Sequence, residues 1–149
     1  LYVNKTEVKM IDPLICMATA IYFEARSEPI VGQIAVANVV MNRVMDHRYP
    51  DDICSVIKQG PTYSWKQDYP VRDKCQFSFY CDGKTDVVPN NKVWEVSIMV
   101  AYGVMTFRTY DVTEGATHYH ATYVYPDWAE SKEKTVQINN HIFYRWNYK

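Results

Sequence analysis

The chain has 149 residues, of which 48% are hydrophobic and 22% charged, a length and composition for one domain with enough interior to bury a real core. Its 16 basic residues nearly offset its 17 acidic ones, leaving a net charge of −1. That balance excludes the basic footprint of a nucleic-acid-binding protein and the polybasic segment of an anionic-membrane anchor. The longest apolar run, Val96 to Phe107, is interrupted by Ser97 and Gly103 and is too short to span a bilayer. No signal-peptide pattern stands at the start. The chain opens on Leu1 instead of a methionine, an opening that accommodates a removed leader or further domain.

The first element is a helix opening at Asp12-Pro13, with Asp12 as N-cap and Pro13 at the first helical position. Leu14, Ile15, Met17, Ala18, Ile21 and Ala25 form its apolar stripe. Pro29 biases Glu28 away from helical geometry, so the helix ends near Ser27. Glu24 therefore falls in the last turn. There the partial negative charge of the helix end and the neighbouring Tyr22 and Phe23 both disfavour an ionised carboxylate. A raised carboxyl pKa suits a general acid for glycosidic-bond cleavage. Taken alone, such a glutamate is more often on a solvated helix face.

Val31, Ile34, Ala35, Val39, Val40 and Val44 predict a second helix ending around His47-Arg48, with Gly32 allowing close approach to the first. Pro50-Asp51-Asp52 reads as a turn and N-cap for a short helix from Ile53 to Lys58, stopped by Gly60-Pro61. The stretch from Pro61 to Val88 reads as irregular, with a short strand around Gln76–Tyr80. Pro89-Asn90-Asn91 caps a helix from Val93 to Phe107, apolar nearly all round and so expected at the buried centre. Near the end, Val136 and Ile138, a turn at Asn139-Asn140, and Ile142, Tyr144 and Trp146 outline a hairpin. The expected architecture is a helix-dominated α+β domain with irregular aromatic loops.

Several groups bear chemistry. Strand alternation turns Phe77 and Phe79 inward and leaves Gln76 and Ser78 free to meet a carbonyl or a sugar hydroxyl. His118 and His120 share a strand face that His141 could approach, a weak pattern for zinc that is more often structural or substrate-binding. The final third is dense in aromatics. Trp128, in a turn-like Pro126-Asp127-Trp128, is the hardest to explain as core, and with Tyr119 it is a candidate for stacking on sugar. Cys16, Cys54, Cys75 and Cys81 allow three complete pairings or four buried thiols, and a Cys75–Cys81 bridge would close a short loop.

In order, these segments resemble the SleB-like cell wall hydrolases. The pieces are Ala20-Ile-Tyr-Phe-Glu-Ala-Arg26 with Glu28-Pro29, Gly32 to Val44, Cys75-Gln-Phe-Ser-Phe79 with Cys81-Asp-Gly83, Ala116-Thr-His-Tyr-His-Ala121, Pro126-Asp-Trp128 and His141-Ile-Phe-Tyr144. The resemblance spans nearly the whole chain and implies one catalytic domain over 1–149, with a lysozyme-like fold related to lytic transglycosylases. It implies peptidoglycan glycan as substrate, Glu24 as the catalytic glutamate and the Gln76 to Ser78 segment as part of the cleft. Ser27, where the family commonly has glycine, and an aromatic, charged insertion from Thr62 to Lys74 depart from the pattern.

The leading expectation is cleavage of the bond between N-acetylmuramic acid and N-acetylglucosamine. A lytic transglycosylase needs only Glu24 and leaves a 1,6-anhydro sugar; a muramidase needs a second carboxylate, for which Glu28, Asp82 and Asp127 are the options. A metal-dependent amidase using His118, His120 or His141, and a non-catalytic peptidoglycan-binding module, are the other classes. Gln76, Ser78, Tyr119, His120 and Trp128 are expected at the substrate, with Glu28, His118 and His141 in support. No cofactor or metal is expected. The partner is peptidoglycan glycan, with no nucleic acid and no membrane insertion. The protein is expected to be a monomer working outside the cytoplasm, in the cell wall or periplasm, including delivery there as a phage lysis protein.

Overall fold

A computed structural model describes residues 2–4, 12–84, 87–89, 91–107 and 110–147. Its helices are α1 (Pro13–Ala25), α2 (Ile30–Met45), α3 (Ile53–Ile57) and α4 (Lys92–Phe107). The strands are β1 (Tyr2–Asn4), β2 (Thr62–Tyr63), β3 (Lys66–Pro70), β4 (Val87–Pro89), β5 (His118–Ala121), β6 (Glu133–Ile138) and β7 (His141–Arg145). β1 pairs with β4, β2 with β3, and a three-stranded antiparallel sheet runs β5-β7-β6. The architecture is α+β, as expected.

The Asp12 carboxylate accepts from the Leu14 N–H at 2.9 Å, and Pro13 opens α1. α1 is the helix at the centre: Cys16, Met17, Ala18, Ala20 and Ile21 are fully buried, and it packs against α2, α3 and α4. The sequence pointed to α4 for that place. Only one stripe of α4 is buried, Trp94, Ser97, Val100, Ala101 and Val104, while Met99, Tyr102 and Phe107 stand in solvent. An all-round apolar composition permits full burial, but among the described residues α4 packs chiefly on α1 and α2 and leaves its other face to solvent.

α2 joins two cores. Ala37 and Val40 face the helical core with Met17, Ile21, Phe77 and Trp94. Ala35 and Val39 face a second core completed by Ala116 and Phe143, the inward residue of β7. Each large side chain so buried contributes roughly 1.5–3 kcal/mol of transfer free energy. The small sheet is thereby fixed against the same helix that packs on α1.

Both cysteine pairs are disulfides: Cys16–Cys54 ties α1 to α3, and Cys75–Cys81 closes the short loop between them. That second bridge explains why the strand expected around Gln76–Tyr80 is instead a 3-10 helix, Ser78–Cys81. Six residues of strand would span about 20 Å, whereas the two cysteine Cα atoms stand 6.1 Å apart. The alternation of burial survives the change, with Phe77 and Phe79 inside and Gln76 and Ser78 outside.

The β6–β7 hairpin turns at Asn139-Asn140, with Ile138 opposite His141 and Asn139 at a φ of 50°. Asparagine tolerates that left-handed geometry better than most residues. Both asparagines also reach the α1–α2 junction. The Glu28 carboxylate accepts from Asn139 Nδ2, the Asn140 backbone N–H and Asn140 Nδ2 at 3.0–3.2 Å. A methyl group on Gly32 would sit 2.9 Å from Glu28 Cβ, so the glycine makes room for the side chain of Glu28.

Candidate active site

The last turn of α1, the last turn of α2, the Cys75–Cys81 loop and the start of β5 converge on a cavity of about 120 Å³. Its walls are Glu24, Arg43, Gln76, Phe77, His118, Tyr119 and Trp128. The short loop after Trp128's 3-10 helix, Asp127–Ser131, leads directly into β6.

Among the described residues, Glu24 is the only carboxylate on this wall. Burial pushes its pKa up, and a hydrogen bond donated by the Tyr119 hydroxyl to Oε1 partly offsets that. The carboxyl group thus keeps its proton above the usual carboxyl range, as a general acid requires. Tyr119 itself is pushed well above the ordinary phenol pKa by burial and by the nearby Glu24, so it remains a donor. Its ring is held between His141 and Phe143, with centroids 5.1 and 5.6 Å away.

Arg43 is buried at the cavity floor. Its Nε donates to the Thr117 carbonyl at 2.7 Å, and its Nη1 reaches Gln76 Oε1 at 3.5 Å. The guanidinium lies 4.9 Å from the Tyr49 ring centroid, a cation–π contact. Burial lowers its pKa and the neighbouring Tyr49 and Tyr119 oxygens counter this; an arginine nonetheless stays charged in proteins. Engaging Gln76 Oε1 turns the amide N–H₂ of that residue away from the arginine. Burial, then the charges of Arg43 and Lys132, lowers the His118 pKa to about 4, so its ring is neutral at pH 7.

The loop before β5 is pinned to α2. Asn42 Nδ2 donates to Asp111 Oδ2 and to the Ala116 carbonyl, both at 2.8 Å, and Asn38 Oδ1 accepts from the Val112 N–H. Burial raises the Asp111 pKa, but hydrogen bonds from Thr113, Asn42 and Gly115 outweigh it and the carboxyl titrates below the ordinary range. This network sets the position at which β5 delivers His118 and Tyr119.

Of the residues expected at the substrate, the structure brings Gln76, Tyr119 and Trp128 to the Glu24 cavity, with His118 from the supporting group. Ser78 is exposed at the start of the 3-10 helix and outside the cavity wall. His120 is buried behind it: Nδ1–H donates to the Ala121 carbonyl at 2.7 Å, and Nε2 meets the Tyr144 hydroxyl at 2.9 Å. Glu28 is the hairpin anchor, and His141 Nδ1 lies 3.7 Å from Glu28 Oε1. Burial lowers the His141 pKa, with Glu28 acting in the opposite sense. His118, whose Nδ1 meets Thr117 Oγ1 at 2.9 Å, is engaged separately. Among the described residues no group of three or more His, Cys, Asp or Glu is arranged to hold a metal ion.

Arg43 is the residue that reading the sequence missed as a site residue. The signal was an arginine one position after Asn42 at the end of an apolar helix, where it reads as an ordinary C-terminal cation.

The cell wall hydrolase family model matches residues 27–144, beginning just after Glu24. The spore cortex-lytic enzyme of Halalkalibacterium halodurans is 31% identical over 132 residues, covering 85% of this chain and 33% of that protein. That of Bacillus subtilis strain 168 is 28% identical over the same share of this chain and 35% of its own length. The chain therefore spans about a third of these relatives. Among solved structures, the catalytic domain of the Bacillus cereus SleB protein superposes with a TM-score of 0.63 at 26% identity, covering 89% of each chain. The catalytic domain of the germination-specific lytic transglycosylase SleB from Bacillus anthracis gives 0.64 at 25%, covering 89% of this chain and 93% of that one. With the family model matched across most of its length and the SleB catalytic fold shared, the chain belongs to the cell wall hydrolase family.

Proposed function

We propose that this domain cleaves the glycan of peptidoglycan between N-acetylmuramic acid and N-acetylglucosamine, as a lytic transglycosylase with Glu24 as its single acid/base. The observation that carries this reading is one desolvated carboxyl group on a cavity wall that holds no second carboxylate among the described residues. Two-carboxylate glycosidases keep their pair about 5–10 Å apart across the scissile bond. The alternatives here are otherwise engaged or placed: Glu28 accepts from the hairpin asparagines, Asp82 Oδ1 accepts from the Lys84 N–H, and Asp127 is exposed.

In the first step the protonated Glu24 gives its proton to the glycosidic oxygen as the C1–O bond breaks. Tyr119 occupies Oε1, which leaves Oε2 to carry that proton. The carboxylate so formed is stabilised by the same phenol hydrogen bond. It then takes the proton of the muramic acid C6 hydroxyl while the C6 oxygen bonds to C1. Bond count and proton count close: the leaving sugar gains the first proton, and Glu24 recovers one from C6. Gln76, with its amide N–H₂ free of Arg43, is placed to donate to an N-acetyl carbonyl, and Trp128 offers an apolar face to a sugar ring.

The names of the SleB relatives support glycan cleavage in a cell wall. On this reading the site of action lies outside the cytoplasm; no helix among the described residues is long and apolar enough to cross a membrane. Mass spectrometry of muropeptides released from purified sacculi tests the chemistry. The expected products end in 1,6-anhydromuramic acid; reducing muramic acid ends would show hydrolysis instead, and free stem peptides with intact glycan would show an amidase.

A further inference from the structure

Trp128 lines the Glu24 cavity and packs on two residues of a second one. One face of its surroundings is the Glu24 cavity, shared with His118 at a centroid distance of 5.1 Å. On the other side its ring packs against His120 and Tyr144, at 5.7 and 5.2 Å. Those two residues line a larger, open trough of about 700 Å³ between the 122–126 loop and the start of β6. The trough and the candidate cleft are therefore neighbours, with the Trp128 indole packed between a wall of one and residues of the other.

The walls of the trough differ in chemistry from the cleft. Tyr123 and Tyr125 stand 85% and 66% exposed, so neither contributes to the core. Lys132 and Lys134 supply two cations and Glu130 one carboxylate. The Lys132 ammonium lies 4.2 Å from the Trp146 ring centroid and 3.2 Å from Ser131 Oγ. A glycan strand offers at most the lactyl carboxylate of an unsubstituted muramic acid, one partner for two lysines and none for the glutamate. A short peptide with at least two free carboxylates and one free amine gives each of them a partner, and its backbone amides can meet the tyrosine hydroxyls.

We infer that this trough is a subsite for the peptide stem of peptidoglycan, its carboxylates at Lys132 and Lys134 and its free amine at Glu130, while the attached glycan occupies the Glu24 side of Trp128. The inference rests on the glycan-cleavage reading for the identity of the larger ligand. Muramic acid carries the stem on its lactyl group, one sugar position from the bond that Glu24 would cut, so adjacency of the two cavities is what such a substrate demands. The trough then makes the enzyme sensitive to whether a muramic acid bears a peptide.

The free stem tripeptide L-Ala–γ-D-Glu–meso-diaminopimelate, titrated into the Glu24→Gln protein, tests binding without turnover. Saturable binding is expected, seen as shifts of the Tyr123 and Tyr125 ring signals. It should weaken about tenfold in a Lys132→Ala/Lys134→Ala variant, about 1.4 kcal/mol, and weaken with added salt. Absence of saturable binding, an equal Kd in the double variant, or shifts confined to Glu24-cavity residues would overturn it. Lys134→Ala and Tyr123→Ala, both at exposed positions, give a second reading if the double variant fails to fold. For each, the ratio of cleavage rates on stem-bearing against amidase-stripped glycan should fall several-fold, and an unchanged ratio counts against the subsite. Failure of the wild-type protein to cleave either glycan would sink the glycan-cleavage reading and leave the tripeptide titration to be judged by its own result.

Discussion

The Tyr119 hydroxyl donates a hydrogen bond to Glu24 Oε1 across 95 residues of sequence. The two ends of this contact come from different cores. Glu24 stands at the end of the central helix α1, and Tyr119 stands on a strand packed over α2 through Phe143. The alignment of acid and phenol therefore depends on α2 holding both layers in register. The bond works in both halves of the proposed cycle, directing the acidic proton to Oε2 and then steadying the carboxylate.

Tyr119→Phe removes that donor and little else. The hydrogen bond lowers the Glu24 pKa against the upward push of burial, so its loss raises that pKa further. The alkaline limb of the kcat/KM profile should move to higher pH, because Glu24 must be protonated to start the reaction. The maximal rate should fall about tenfold through poorer stabilisation of the carboxylate, a loss of ~1.4 kcal/mol. Sacculus clearing followed from pH 4 to 9 checks both; an alkaline limb that moves down contradicts the assignment.

His118 makes the stability depend on pH in a defined direction. Its folded-state pKa is lowered from 6.5 to about 4, first by burial and then by Arg43 and Lys132. Between those values the unfolded chain takes up a proton that the folded chain refuses, so stability from this residue falls as pH drops from 6.5 toward 4. NMR of the ring should show a neutral imidazole at pH 6. His118→Gln should flatten the urea-midpoint profile across this window, and a ring titrating above pH 6 would refute the account.

Glu28 holds the hairpin to the helices and stands outside the cavity wall. Glu28→Ala removes the acceptor of three part-buried hydrogen bonds from the hairpin turn and should cost about 3 kcal/mol. Gly32→Ala should also destabilise, because its new methyl would meet Glu28 Cβ at 2.9 Å. Glu28→Gln should be milder for cleavage than Glu24→Gln, measured per folded molecule. Urea unfolding with activity on the same samples checks this, and a Glu28→Gln loss of turnover larger than that of Glu24→Gln would contradict it.

The disulfides should have separable effects. Cys16–Cys54 closes a loop with a sequence separation of 38, which restricts the unfolded chain by about 4 kcal/mol; the six-residue separation of Cys75–Cys81 is worth about 2 kcal/mol in the same chain-entropy account. Cys16→Ala/Cys54→Ala should lower Tm by roughly 10 °C. Cys75→Ala/Cys81→Ala should cost less stability but more turnover, since that loop carries Gln76 and Phe77 on the cavity wall. Calorimetry beside a sacculus assay distinguishes them, and the reverse order would be contradictory.

Local signals made much of the fold legible. The Asp12-Pro13 start, the Asp52 cap and the Asn139-Asn140 turn each follow from the chemistry of a few adjacent residues, and each is where the spacing predicted. Glu24 was legible for the same reason, as a carboxyl at a helix end among aromatics. Arg43 was not, because its role depends on Thr117 and Gln76, 74 and 33 residues away. The exposed face of α4 and the 3-10 turn at Ser78–Cys81 were hidden likewise. One depends on which side of the helix has neighbours and the other on a disulfide, and neither is encoded in residue spacing. His118, His120 and His141 are near one another along the strands yet engaged with different partners, which no motif distinguishes.

The central claim is that Glu24 alone gives and takes the proton. Glu24→Gln keeps the shape and the hydrogen bond to Tyr119 but has no transferable proton, and a positioned acid/base is worth 10²–10⁴-fold, about 3–5 kcal/mol of barrier. Because burial raises the Glu24 pKa, its ionised form is a cost to the folded state above the ordinary carboxyl range, so the variant should be at least as stable as the parent at pH 7. The direct measurement is the rate of glycan release from purified sacculi by the folded Glu24→Gln protein against the parent. The account predicts a loss of at least a hundredfold with glycan binding retained; cleavage at a near-normal rate would contradict it.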